Sequence, residues 1–282
     1  MKVIVTRPRL EADAWVKQLR ALHFDAVALP LIHIGAFADT TDVAKSWESL
    51  HQYNAVMFVS SNAVRYFYHS NIPIAGEFAS YEAIKNIANS DKLASYPRRP
   101  RMWATGPGTR DALLARSVPS DLIDSPASDA AQFDSEALWN RVQHQVKRGD
   151  KVLIVRGSSS NTKDAEGAES GRMNGRPWLA DQLTAAGVQV DFVVSYQRSA
   201  PVFDAAQMAL MVQAATDKSV WLLSSSEAVA NLRTVSGLNW SHARAVATHP
   251  RIALAARDAG FGVVYESRPL LADVAASIES LL

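Results

Sequence analysis

The chain has 282 residues, more than one hydrophobic core usually spans, so two domains of roughly 100–150 residues each are expected. With 48% hydrophobic and 20% charged residues and a formal net charge of +1, it is an ordinary globular composition without the global field that attracts nucleic acid or an anionic membrane. It contains no cysteine, which excludes disulfides, thiolate metal sites and a cysteine nucleophile and is compatible with the cytoplasm.

The amino terminus, MKVIVTRPR, has an apolar run of three residues before Thr6 and Arg7, too short for the core of a signal peptide. No apolar run approaches the roughly 20 residues of a membrane span. A soluble cytoplasmic protein is the expectation, with neither a membrane nor a nucleic-acid partner.

Short apolar runs alternate with helix-period segments almost from end to end, the pattern of an α/β protein with parallel sheets. Lys2–Thr6 reads as a strand. Pro8 suits a first helical turn, and Ala12, Trp15, Val16, Leu19 and Leu22 mark one helical face. Ala26–Leu29 is a second strand, interrupted by Pro30, with Leu31–Ile34 continuing as an extended segment. Asn54–Ser60 is a continuous apolar strand before the helix start SNAV. Residues 72–100 form a less regular insert with a helical piece near Tyr81–Ile87 and a basic end at Arg98, Arg99 and Arg101. Met102–Thr105 is a strand leading into GPGTRDALL, and Ser135 or Asp134 could cap a helix carrying Ala137, Leu138 and Val142.

The second half repeats this order. Lys151–Val155 echoes Lys2–Val5, each followed by an arginine, Arg156 and Arg7, at an offset of 149. Leu19, Ala21 and Phe24 then match Leu183, Ala185 and Val188 at an offset of 164. The 15-residue difference falls on Ser158–Asn174, rich in Ser, Gly, Asn and charge, which reads as a surface insertion. Val59–Val64 finds a counterpart in Ser224–Val229 at an offset of 165, and Ala104–Leu113 in Ala245–Ala256. The tail Leu270, Leu271, Val274, Ile278 and Leu281 has helical spacing. Two copies of one α/β plan is the economical account.

The copies either follow one another, with a boundary near Gly149, or interlock. In the second arrangement Leu31–Ile34 and Val193–Gln197 pair side by side as a link. One lobe is then 1–33 plus 198–282, and the other is 34–197 with the insertion 158–174. Periodicity alone does not choose. The stretch Val193–Pro201, VVSYQRSAP, would be one of the crossovers, its alternation sending Tyr196 and Arg198 to the same face.

In parallel sheets ligands collect at the carboxyl ends of strands, where helix N-termini present N–H groups to anions. Ser60, Ser61 and Asn62; Thr105, Gly106 and Thr109; Arg156 and Gly157; and Ser224, Ser225 and Ser226 occupy such ends. Each alone serves equally well as a helix cap. Four such sets in matching places favour a ligand cleft. Gly106 and Gly108 start a dinucleotide fingerprint whose third glycine would fall at Asp111, so it fails. Histidines 23, 33, 51, 69, 144, 242 and 249 show no metal-ligand spacing, and no hydrolase elbow is present. Neither cofactor nor metal is expected. Tyr196 serves either for packing or, in a cleft, as a phenol that donates a proton.

With these residues assembled, the chain resembles the uroporphyrinogen-III synthase family. The matching stretches are VTRP (5–8), VSSNAV (59–64), GPGT (106–109), FDSEALW (133–139), VLIVRG (152–157), GRPWLADQL (175–183), VVSYQR (193–198) and LLSSSEAV (222–229), in the family's order. The resemblance implies two similar flavodoxin-like parallel-sheet lobes joined by a two-stranded linker, with a cleft between them. It implies a monomeric, cofactor-free lyase of porphyrin and heme biosynthesis, which cyclises hydroxymethylbilane with inversion of ring D and loss of water. Tyr196 matches the family's catalytic tyrosine and Thr109 a threonine lining its cleft. Arg7, Arg156, Gly157 and Arg198 join the strand-end residues as expected substrate contacts. The partner implied is the linear tetrapyrrole, with transient contact to the preceding pathway enzyme. At Thr248–Ala253 the chain departs from some relatives, with Ile252 where a threonine often stands. A two-lobed binding protein that closes on a small anion without chemistry, and a nucleotide-dependent enzyme, are the competing classes.

Overall fold

The computed structural model describes residues 1–37, 39–69, 99–159, 178–235 and 237–281. In chain order the elements begin β1 (Lys2–Val5), α1 (Arg9–Ala21), β2 (Asp25–Ala28), β3 (His33–Ala36), α2 (Thr41–Glu48), β4 (Ala55–Phe58) and α3 (Ser61–His69). They continue with β5 (Arg101–Ala104), α4 (Pro107–Leu114), β6 (Ile123–Asp124), α5 (Ser135–Val142), β7 (Lys151–Ser159), α6 (Trp178–Ala185) and β8 (Gln189–Ser199). The last are α7 (Ala205–Thr216), β9 (Val220–Leu223), α8 (Ser226–Arg233), β10 (Arg244–Ala247), α9 (Pro250–Asp258), β11 (Val263–Glu266) and α10 (Leu271–Glu279).

The chain divides into two units, Met1–Ile34 with Arg198–Leu282, and Gly35–Gln197. In the first, a five-stranded sheet runs β2-β1-β9-β10-β11 with all neighbours parallel. Numbered by first appearance, that order is 2-1-3-4-5, the flavodoxin-like arrangement. Alternation along the strands builds two cores. Ile4, Trp221, Leu223 and Ala245 face one way, against Met211 of α7, Val229 of α8 and Ala253 of α9. Val3, Val5, Leu222 and Val246 face the other, against Leu19 of α1 and Ile278 of α10. Both faces are therefore covered, which is why VWLL in β9 is apolar at every position.

The second unit holds a sheet ordered β3-β8-β7-β4-β5-β6, in which β7, β4, β5 and β6 are parallel neighbours. Taken from β7, the order β8-β7-β4-β5-β6 is again 2-1-3-4-5. The same plan is present, circularly permuted, because the chain makes the third to fifth strands before the first two. Met57, Trp103 and Ile154 pack on Leu138 of α5 and Leu183 of α6. Elsewhere in this unit Phe67 of α3 stacks on Trp47 of α2 at 4.9 Å and meets Phe58 edge-on at 5.6 Å.

Some expectations need correction. Leu22 is 46% exposed, because α1 ends at Ala21 and Leu22 is its C-cap residue, turned off the buried face. Ser158 and Ser159 belong to β7 and not to a surface insertion; 160–177 lie outside the described residues, as do the helical piece at Tyr81–Ile87 and Arg98. Arg101 is not the end of an irregular insert. It opens β5 and forks onto the buried Asp124 of β6, with Nε donating at 2.6 Å and Nη2 at 2.8 Å. At the start of α5 it is Asp134, not Ser135, that caps, accepting from the Ala137 N–H at 2.9 Å.

Candidate functional site

A doubly wound sheet opens a crevice where successive crossovers leave in opposite directions, outside the carboxyl ends of the two strands concerned. In the first unit those strands are β1 and β9, and in the second β7 and β4. The turns after β1, β9 and β4 carry Thr6 and Arg7, Ser224–Ser226, and Ser60–Asn62; Arg156 and Gly157, expected past a strand end, lie within β7, which runs on to Ser159. The repeat extends to individual hydrogen bonds. Thr105 after β5 donates to the Val59 carbonyl at 3.2 Å, and its counterpart Thr248 after β10 donates to the Leu223 carbonyl at 3.4 Å.

In the second unit Tyr196 is the centre of this rim. It lies on β8, but its ring reaches over β7 to the turn after β4. There its hydroxyl stands 3.1 Å from Ser60 Oγ. Ser60 Oγ also accepts from the Ala63 N–H at 3.1 Å, capping α3. The ring passes over Gly157 so closely that a Cβ there would lie 2.5 Å from Cε2 and Cζ and 2.9 Å from Cε1. Gly157 is thus a glycine because a phenol occupies the place of its side chain. Tyr66 of α3 stacks on the Tyr196 ring at 5.9 Å and 23°. Tyr196 as a whole is only 3% exposed in this conformation.

The remaining candidates of this unit frame that phenol. Asn62 is buried and its Oδ1 accepts from Arg65 at 3.2 Å. Gly106 starts α4 in extended backbone, where a Cβ would press on Phe133 Cβ at 3.1 Å, and Thr109 is buried in the first turn of α4. The Arg156 guanidinium lies over the Phe192 ring at 4.5 Å, and burial lowers its pKa.

In the first unit the counterpart Arg7 lies over Trp15 at 4.4 Å and contacts Glu11 at 3.5 Å. Burial lowers the Arg7 pKa despite the opposing pull of Glu11. Each repeat therefore carries a desolvated guanidinium on an aromatic face, two residues past its first strand or within it. Ser225 caps α8, accepting from the Ala228 N–H at 3.4 Å, Ser224 is half-buried, and Ser226 is exposed as the helix's first residue. Arg198 forms an ion pair with Glu227 of α8, Nε to Oε2 at 3.1 Å, so its charge is held within this unit. His249 caps α9 through Nδ1, which accepts from the Arg251 N–H at 3.1 Å.

Sequence reasoning missed Tyr66 and Phe192. Tyr66 falls in the aromatic helix RYFYH, where it reads as core, and Phe192 alternates in phase with Tyr196 along β8. Among the described residues no group of acidic side chains or histidines is arranged to hold a metal ion, and no helix is long and apolar enough to cross a membrane.

A sequence profile described as "Uroporphyrinogen-III synthase HemD" matches residues 13–274. The chain belongs to this family. Two curated uroporphyrinogen-III synthases are similar to it. That of Salmonella typhimurium is 29% identical over 210 residues, covering 74% of this chain and 70% of its own. That of Escherichia coli is 26% identical over 266 residues, covering 93% and 92%. Solved structures extend the likeness to the fold. The Helicobacter pylori uroporphyrinogen-III synthetase superposes with a TM-score of 0.55 at 16% identity, all of both chains being covered. A mutant Thermus thermophilus uroporphyrinogen III synthase gives 0.53 at 14% identity, over 100% of this chain and 98% of that one. In family terms the two-lobed α/β fold comprises the two permuted copies described above.

Proposed function

We propose that this family member closes hydroxymethylbilane to uroporphyrinogen III, inverting ring D and releasing water, and that Tyr196 is its catalytic acid. The observation that carries the role of Tyr196 is its phenol, fixed over Gly157 and held 3.1 Å from Ser60 at the rim where the strand order reverses.

The chemistry needs one proton placed well. The terminal hydroxymethyl carbon bears a hydroxyl, a poor leaving group until protonated. Transfer of the phenol proton to that oxygen lets the C–O bond break with its electron pair leaving as water. The carbon becomes an electron-poor centre conjugated with its pyrrole nitrogen. Ring D then attacks it through its substituted α-carbon, the spiro intermediate rearranges, and the proton lost on rearomatisation balances the one given by tyrosine. General acid assistance of this kind is worth roughly 10²–10⁴-fold. Directing closure belongs to binding: a flexible chain held in one folded pose converts an entropic search into a single reaction.

The substrate is a polycarboxylate. The amino-terminal turns of α3, α4 and α8, including Ser61, Asn62, Thr105, Gly106, Thr109, Ser224, Ser225 and Ser226, suit carboxylates through backbone N–H groups and the helix dipole. Arg7 and Arg156 supply guanidinium charge, which the low dielectric around them strengthens. Because Tyr196 is nearly buried, reaction at its oxygen involves displacement of neighbouring groups, while the Tyr66 stack holds the ring in place. The enzyme acts as a cytoplasmic monomer in this reading.

Purified protein given freshly made hydroxymethylbilane yields the type III isomer, resolved from type I by chromatography. Type I alone, the spontaneous product, refutes the activity. Tyr196→Phe lowers turnover by about 10²-fold or more with the fold intact, and unchanged kinetics removes Tyr196 from the reaction.

A further inference from the structure

The geometry points to Ser60 as a positioning residue that works through Tyr196, its hydroxyl donating to the phenol oxygen and coupling it to the amino-terminal end of α3, in place of contacting substrate. This rests on the catalytic reading of Tyr196 above.

A serine hydroxyl has one proton and two lone pairs. One lone pair of Ser60 accepts from the Ala63 N–H at 3.1 Å, the bond that caps α3. Accepting from a helix N–H polarises the hydroxyl and makes its own proton a better donor. The Tyr196 oxygen stands within reach of that proton, at 3.1 Å. With Ser60 as donor, the phenol's own proton is directed to an acceptor outside the pair, as an acid requires. In the opposite polarity tyrosine would spend its proton on serine.

The benefit is largest after transfer. Once the phenol proton has moved to the leaving oxygen and the C–O bond has broken, tyrosine carries the negative charge. A phenolate at this place receives a charge-assisted hydrogen bond from Ser60 and faces the positive end of α3, a helix of nine residues. Gly157 and Tyr66 keep the ring in register for that bond, Gly157 by leaving room beneath it and Tyr66 by stacking on it. Ser60 is thereby a device that stabilises charge present only after proton transfer, so its removal falls on kcat and spares KM.

A cap and a donor are separable by substitution. Ser60→Asp still caps α3 but has no proton to give and sets a negative charge beside the phenol. Ser60→Thr retains both functions. The expected result is that Ser60→Thr stays within about threefold of wild-type kcat and KM while Ser60→Asp loses about 10²-fold in kcat. A second reading is independent of turnover: ¹³C NMR of Cζ-labelled tyrosine, titrated with pH, shows the Tyr196 phenol losing its proton at higher pH in the uncharged Ser60→Ala than in wild type, a shift that no added carboxylate can cause. Ser60→Asp with wild-type kcat, or a Ser60→Ala phenol that titrates as wild type does, makes Ser60 a helix cap and overturns the proposal. Should Ser60→Asp fail to fold by circular dichroism, Ser60→Ala is read by the same two measurements, with the same loss expected and equality again overturning the idea. If wild type makes no type III isomer, the catalytic reading fails, while the phenol titration still decides whether Ser60 donates.

Discussion

Replacing Gly157 by alanine tests the placement of Tyr196 without touching any polar group. The new Cβ would stand 2.5 Å from Cζ of the ring, and ordinary van der Waals contact begins at 3.4 Å, so the ring must retreat by about 0.9 Å. The ring is buried and stacked on Tyr66, so that retreat is resisted. Overpacking of this kind costs about 1–3 kcal/mol. For a unit of this size each kcal/mol lowers Tm by roughly 2–4 °C. A displacement of nearly one ångström also breaks the 3.1 Å contact to Ser60, and misplacement on that scale costs up to ~10²-fold in turnover. Differential scanning calorimetry and the isomer assay read the two effects. Gly108→Ala is the control, because its Cβ would meet nothing within 4 Å. In a Tyr196→Ala background the stability cost of Gly157→Ala should vanish, since the clash partner is gone. Gly157→Ala with wild-type Tm and turnover, or with an undiminished cost when Tyr196 is absent, refutes the reasoning.

Three further outcomes concern the opposite pole of the second unit. Asp124→Ala strips the fork from Arg101 and the acceptor from Gln145 Nε2, and lowers stability by about 1–3 kcal/mol in urea unfolding, the partial exposure of Arg101 limiting the loss; an unchanged midpoint would show the pair to be idle. Tyr53 is pushed up to about 12 by burial and by its hydrogen bond to Asp191, so its neutral form stabilises the fold below the ordinary tyrosine value near 10 and that contribution is lost as pH rises toward 12. Tyr53→Phe should therefore flatten the fall of the urea midpoint across that window; a parallel fall in both proteins removes Tyr53 as its cause. Burial of Asp191 favours its neutral form but is outweighed by hydrogen bonds from Lys151 and Tyr53, which hold the carboxylate below its usual range. Its contribution is present above about pH 4 and is lost as pH falls through the lowered value, so Asp191→Asn narrows the stability difference between neutral and acid pH, and an unaltered acid profile dismisses it.

The strand-turn-helix units were legible in the sequence because a parallel strand covered on both faces must be apolar throughout, as AVMF and VWLL are. The repeat was legible for the same reason, down to Arg7 and Arg156 at one offset. Short or peripheral elements were not. β6 has two residues, β11 exposes Val263 and Tyr265 at a sheet edge, and α7 has so little polar face that no period marks it. Within the site, the strand-end residues follow from local pattern, but their partners do not. That Tyr196 lies on Gly157 depends on the β7–β8 neighbourhood, and that it meets Ser60 depends on the β7–β4 one, across 136 residues. Arg198 shows the reverse: its charge looks available until α8 brings Glu227 beside it.

The permuted strand order also dictates when each unit can form during synthesis. Gly35–Gln197 is contiguous and holds all five strands of its plan, so it can close once its last strand has left the ribosome. The first unit cannot. β1 finds β2 at once, but its other neighbour β9 begins at Val220, so an apolar strand edge waits while the whole second unit is made. Contacts of such sequence separation are the slow ones to form. A nascent chain halted before Val220 therefore exposes an edge that the finished sheet covers, the side of β1 that β9 later pairs with, and that edge is where a chaperone has most to shield.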